Sequence, residues 1–359
     1  MHRYLKKAVC YLAILICVPY FVTAFLNGSG RGGSVEVDET YVRVESSESG
    51  DGSGNGADIA DGDENGGGSK NRDGSGGRDV DDDSVKNSGS KEKNGNNSNL
   101  RGSKKIIEMP LEDYGISVMA KEMPGSYKKE AWKAQAVLVR TSICEKMNQD
   151  GSDTVLEQSY LTDAQKKQLW GSNKYYSYYN KLKKAWEETD GEILTWKGKP
   201  AYAPFCRLTN GSTRDAKESL GEEYPYLKKV TCPKDLENEW QIQTTMEKKL
   251  DAKVTALDSA GYVKKVRVGE EIMSGEAFRE KYHLASSSFI LQKYDGKLRI
   301  ITCGVGHGYG MSQYTANEMA KKGKTYKEIL GYFYKRRKSG RLRRSYRGKE
   351  DVKIRWESR

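Results

Sequence analysis

Between residues 27 and 103 the chain holds almost nothing from which a folded interior is made. Gly, Ser, Asn and Asp dominate, and after Val44 aromatic and branched apolar residues all but disappear. Such a stretch cannot bury enough apolar surface to offset the entropy of ordering it, so it reads as a disordered linker. It is also acidic, with 16 Asp and Glu against 7 Lys and Arg over residues 33–99. Of the 359 residues, only those from about 104 onward are then left to build a globular domain.

Ahead of the linker, residues 8–26 form an uncharged apolar run long enough to cross a bilayer. His2, Arg3, Lys6 and Lys7 precede it, which places the N-terminus in the cytoplasm and everything after the run outside. A retained anchor over residues 1–26 is preferred to a cleaved signal peptide, because the run is long for a signal core. The expectation is a single-pass cell-membrane protein with its main domain, residues 104–335, on the extracytoplasmic side. Residues 336–359 read as a basic tail; from Lys335 onward there are 12 Lys or Arg and 3 acids. Net charge is +11, and a basic external domain suits teichoic acid, anionic lipid or wall glycan rather than nucleic acid. Cys10 and Cys17 sit in the apolar run, whereas Cys144, Cys206, Cys232 and Cys303 lie where disulfides are permitted, with three pairings open. No Cys-x-x-Cys or His-x-x-His spacing occurs, and only His283 and His307 are available outside. No metal and no cofactor are expected.

Ordered sequence begins near Ile106. Pro110, Glu112 and Asp113 suit the start of a helix over residues 111–121. Pro124 biases Met123 out of helical geometry and ends it at Glu122. Ser126 is placed to cap a second helix running to about Met147. On that helix Trp132, Ala136, Val139 and Ile143 recur as one buried stripe, while Lys133 and Arg140 project two turns apart from another. A carboxylate at a helix C-terminus faces the negative end of the dipole, and packing among Met119, Met123 and Trp132 would dehydrate it. Both effects raise the pKa of Glu122, which makes it a proton donor at neutral pH. The competing reading has Glu122 paired at the surface with Lys133 or Arg140, whose proximity would oppose the shift.

Further along, residues 163–189 read as a helix rich in Tyr and Trp, which packs a core more often than it stacks on sugars. A hairpin follows over residues 193–200, then a polar turn at residues 209–216 able to present Arg214 to a ligand. Strands are expected at 263–268, 288–291 and 298–302, and helices at 314–322 and, capped by Thr325, to about Tyr334. Between them lies Gly-Val-Gly-His-Gly-Tyr-Gly-Met-Ser-Gln-Tyr, residues 304–314. Glycine at every second position weakens regular structure and is retained where the chain turns sharply or something approaches closely. Core packing does not explain that density, so the segment reads as a ligand platform carrying His307, Ser312 and Gln313. The plainer reading is a glycine-rich turn with a structural histidine.

Three segments, residues 109–141, 201–216 and 304–334, resemble the stage II sporulation protein D family of peptidoglycan lytic transglycosylases. The signatures are Met-Pro-Leu-Glu-Asp-Tyr with Lys-Glu-Met-Pro, Ala-Tyr-Ala-Pro-Phe-Cys with Thr-Asn-Gly-Ser-Thr-Arg, and the glycine segment. The resemblance implies an α+β fold of mixed helices and antiparallel strands, with two lobes around a glycan-binding groove. It also implies that Glu122 is the catalytic acid and base, and that Lys133, Arg140, His307, Ser312 and Gln313 belong to or border the groove. Cleavage between N-acetylmuramic acid and N-acetylglucosamine would be non-hydrolytic, leaving a 1,6-anhydro end. Peptidoglycan strands and, through the family, a cell-wall amidase are the implied partners. The second segment departs from the family at Phe205-Cys206, and the zinc ligands of some relatives have no counterpart near Gln158 to Leu161. Two other readings stay open: a silent glycan-binding module that stimulates an amidase, and a Cys-His enzyme using Cys206 or Cys303 with His307.

Overall fold

The computed structural model describes residues 41–46, 105–150, 154–335, 338–347 and 351–358. The expected membrane segment and most of the linker lie outside them. No helix among the described residues is long and apolar enough to cross a membrane.

The fold begins earlier than composition suggests. Strand β1 (Tyr41–Glu45) pairs antiparallel with β2 (Ile106–Pro110) and parallel with β3 (Val155–Leu156). Its alternation sends Val42 and Val44 into the main core, with Val44 fully buried. This corrects the expected linker at residues 41–45. Two inward valines suffice because the strand's remaining needs, its backbone N–H and C=O groups, are met by β2.

Helix α1 (Leu111–Glu122) follows β2 directly, and Met123 leaves it in extended geometry (φ −132°, ψ 146°). That is the conformation Pro124 imposes on the residue before it. Helix α2 (Lys129–Asp150) starts three residues beyond the expected cap at Ser126. The Lys128 N–H instead donates to Asn317 Oδ1 at 2.8 Å, so a distant side chain supplies that end. Helix α3 (Asp163–Glu187) opens with a Thr162–Gln165 capping box and kinks at Gly171 (φ 68°, ψ 157°). Its aromatic residues pack on one another, Trp170 edge-on to Tyr178 at 5.7 Å and Tyr175 stacked on Tyr179 at 6.0 Å. They are core.

The expected hairpin forms as β4 (Glu192–Trp196) and β5 (Lys199–Pro200), and β6 (Phe205–Cys206) follows. A run of strands comes next: β7 (Ile242–Lys248), β8 (Ala252–Leu257), β9 (Val263–Val268) and β10 (Glu271–Ser274). Helix α4 (Gly275–Lys281) leads to β11 (Phe289–Tyr294) and β12 (Lys297–Cys303). The chain then returns through β13 (Met311–Ser312), α5 (Gln313–Lys321) and α6 (Tyr326–Phe333), the last capped by Thr325 as its sequence indicates. Residues read as a loose basic tail are instead β14 (Lys338–Arg347) and β15 (Asp351–Ser358), extending the β4–β5 sheet in the order β15-β14-β4-β5.

Two hydrophobic cores result, which bears out the α+β expectation. The larger gathers Tyr114, Trp132, Leu138, Trp186, Tyr226 and Phe333 from α1–α3, α6 and the intervening loops. The smaller, Val263, Val266, Phe278, Leu284, Phe289, Leu298 and Ile300, fills the space between sheets β10-β9-β8 and β11-β12-β7 under α4. β6 and β13, adjacent in parallel, join the two regions at the glycine segment.

Candidate active site

A groove of about 1530 Å³ runs between the two cores. One wall comes from the end of α1, from α2, from the loop into α3 and from the first turn of α3, with Glu122, Ser142, Gln158 and Gln165. The other comes from α4 and its following loop, with Arg279, Glu280, His283 and Ala285. The floor is β6 and the glycine segment. Glu122 thus stands where an α-helix ends against a dehydrated wall. Burial is the main cause that raises its pKa, opposed by a hydrogen bond from the Gln158 side chain and by Lys121. Gln158 is itself held, because the buried Tyr114 hydroxyl donates to its carbonyl at 2.9 Å. An acid at this position keeps its proton further towards neutral pH than a solvated glutamate does.

The alternating glycines have a different cause from the one their sequence suggests. All four adopt positive φ. A Cβ on Gly306 (φ 110°) would sit 2.8 Å from Cys206 Cβ, and one on Gly310 (φ 70°) would strike the Pro204 carbonyl. What approaches the platform so closely is the chain's own segment 204–209 at Gly304, Gly306 and Gly310, and the buried Tyr262 ring at Gly308. Core packing therefore does explain the glycines, contrary to expectation.

His307 lines the groove. Its Nδ1 accepts from the Tyr309 N–H at 3.0 Å, so the neutral ring carries its proton on Nε2. Burial, with Arg279 and Arg214 nearby, lowers its pKa to about 4. At neutral pH it is an uncharged donor, not a base of ordinary strength. Gln313 also reaches the groove and donates to the buried Gln135 at 3.4 Å.

The remaining candidates are drawn elsewhere. Ser312 is fully buried; its hydroxyl donates to Asp235 Oδ1 at 2.9 Å and accepts from Thr315 N–H, capping α5. Asp235 also takes the Thr209 N–H and hydroxyl at 2.7 Å each and the Thr315 hydroxyl at 2.6 Å. One buried carboxyl thereby ties the second and third signature segments together, and nothing in its sequence surroundings marks it out. Arg140 is buried and donates to the carbonyls of Trp186, Thr189 and Glu192 at 3.0, 2.8 and 3.2 Å while lying 4.0 Å over the Trp186 ring. It closes the open C-terminal end of α3. Lys133 pairs with Glu130 and Glu188 and covers Tyr326 at 4.5 Å. Arg214 is buried between Asp258 (2.6 Å) and Glu276 (2.9 Å), and its N–H and guanidinium hold the carbonyls of Gly308 and His307. None of Lys133, Arg140, Arg214 or Ser312 lines the groove. Helical periodicity shows that Lys133 and Arg140 share a face, but not which element covers it.

The four cysteines of the described residues are free thiols. Burial pushes Cys206 well above the usual thiol value and raises Cys303. With His307 already committed through Nδ1, neither thiol has a base to activate it, and the Cys-His reading loses its support.

Residues 100–196, which include α1 and Glu122, match the family model described as stage II sporulation protein. The chain is 34% identical over 254 residues to the stage II sporulation protein D of Bacillus amyloliquefaciens. It is 35% identical over 257 residues to that of Bacillus subtilis strain 168. Each alignment covers 64% of this chain and 74% of the relative. The amidase enhancer of B. subtilis is 26% identical over 287 residues, covering 60% of this chain and 39% of that protein. A two-core α+β protein with an acid-bearing groove is the class that the fold defines. Within it, the chain belongs to the stage II sporulation protein D family.

Proposed function

We propose that this protein is a peptidoglycan lytic transglycosylase acting at the outer face of a cell membrane, in sporulation or related wall remodelling. The observation that carries the reading is Glu122, a groove carboxyl at a helix C-terminus whose burial favours the protonated form. In this reading Glu122 gives its proton to the oxygen joining N-acetylmuramic acid to N-acetylglucosamine, and the C1–O bond breaks as positive charge develops at C1. The muramic C6 hydroxyl attacks C1 and its proton returns to Glu122, so no water is consumed. One carboxyl serves both steps because the nucleophile belongs to the substrate. Glu122→Gln keeps the shape and loses the proton; release of anhydromuramic products from purified glycan strands should fall by about 10²–10⁴-fold. Undiminished release by the variant would exclude Glu122 as the acid.

Similarity to an amidase enhancer favours a second reading, in which the groove binds glycan and the bound protein stimulates a wall amidase. In that case neither the wild type nor the variant yields anhydro ends, while both raise amidase turnover.

A further inference from the structure

Arg279 is placed unusually for a groove cation. It projects from α4 into the groove wall, its Nη1 contacts Glu276 Oε2 at 3.5 Å, and its Nε is buried without a hydrogen-bond partner. That atom is sealed from solvent while the side chain as a whole is 28% exposed, so the remaining guanidinium N–H groups are what Arg279 offers the groove. Beside it His307 holds its one N–H on Nε2, since Nδ1 is occupied by Tyr309. Together they make a corner that offers donors only. Leu284, Ala285 and Val305 line the groove alongside and supply an apolar patch next to those donors.

We infer that Arg279 and His307 form a subsite for the acetamido group of an N-acetylated sugar, with the carbonyl on the two donors and the methyl on the apolar patch. The inference rests on the groove being a glycan site. A carboxylate fits the corner less well, because Glu276 already sits on Arg279 and Glu280 stands on the same wall. A free amine fits worst: it brings no acceptor and sets a cation beside the guanidinium. Arg279 is thus a specificity-determining residue, separate from the acid across the groove.

The test is calorimetric binding of two soluble β-1,4-linked oligomers of equal length, N-acetylglucosamine and its fully N-deacetylated form, to the full-length chain. The wild type should bind the acetylated oligomer at least about tenfold more tightly. Arg279→Lys, which keeps the charge but not the guanidinium fork of donors, should bring that ratio below about threefold by weakening binding of the acetylated oligomer alone. Arg279→Gln should do the same, and thermal melting of both variants checks the fold. Equal affinity of the wild type for both oligomers, no binding of either, or an unchanged ratio in Arg279→Lys would overturn the inference. So would tighter binding of oligomers bearing free carboxylates that is lost in Arg279→Gln. If the acetyl preference holds but no anhydro ends form, the transglycosylase reading fails and the subsite stands.

Discussion

At the residue scale, what separates the candidate acid from its charged neighbours here is where their polar atoms are already spent. Arg140 directs its donors at the carbonyls that end α3, and Arg214 is saturated by Asp258, Glu276 and the glycine segment. Glu122, by contrast, has one side-chain hydrogen bond that lowers its pKa and a burial effect that raises it. Removing the bond with Gln158→Ala should raise the pKa further. Because the protonated form is the donor, rate falls as pH rises through that pKa. The alkaline limb of the kcat/KM profile should therefore move to higher pH in the variant; a purely structural role for Gln158 would lower the melting temperature and leave the limb in place. Arg140→Met should destabilise the fold by roughly 3 kcal/mol or more, since it strands buried carbonyls. KM for glycan should stay within a factor of about two, which steady-state kinetics below the melting temperature can check.

At the element scale, the strand Tyr41–Glu45 is the part of the fold that composition hides. It lies in a stretch otherwise dominated by Gly, Ser, Asn and Asp, and it pairs with Ile106–Pro110 more than sixty residues later. A chain beginning at residue 104 should lose the burial of Val42 and Val44, about 1.5–3 kcal/mol for each valine. Compared with one beginning at residue 40, it should unfold at lower denaturant concentration. Coincident unfolding curves would show the strand to be dispensable. The helices were more legible, because their signals are local: Pro124 stops α1, the Thr325–Glu328 pair opens α6, and Gly323 terminates α5. The start of α2 lies later than its local signals indicate because the N–H just ahead of it, that of Lys128, goes to Asn317, a partner that no local rule can foresee.

For the whole molecule, the groove exists because two cores form on either side of the β6–β13 seam, and the seam is held by Asp235 beneath it. The same packing isolates the thiols. Cys144 and Cys232 are held up at about 12, which leaves about one in ten thousand as thiolate at pH 8. Native protein at that pH should take up iodoacetamide at these two positions only after unfolding, as mass spectrometry of digests would show, and the proposed glycan cleavage should survive the treatment. Rapid modification with loss of cleavage would reopen a thiol mechanism.

The sequence by itself determined the family, the candidate carboxyl at Glu122, and the order of most helices and strands. These depend on short-range chemistry: caps, prolines, periodic apolar faces and a carboxyl at a helix end. Only the tertiary structure decided that the alternating glycines receive the chain's own packed residues, that Ser312, Lys133, Arg140 and Arg214 stand off the groove lining, and that Arg279 faces the groove. Those assignments turn on which distant group satisfies a buried donor or acceptor, and that partner is chosen by packing rather than by spacing along the chain.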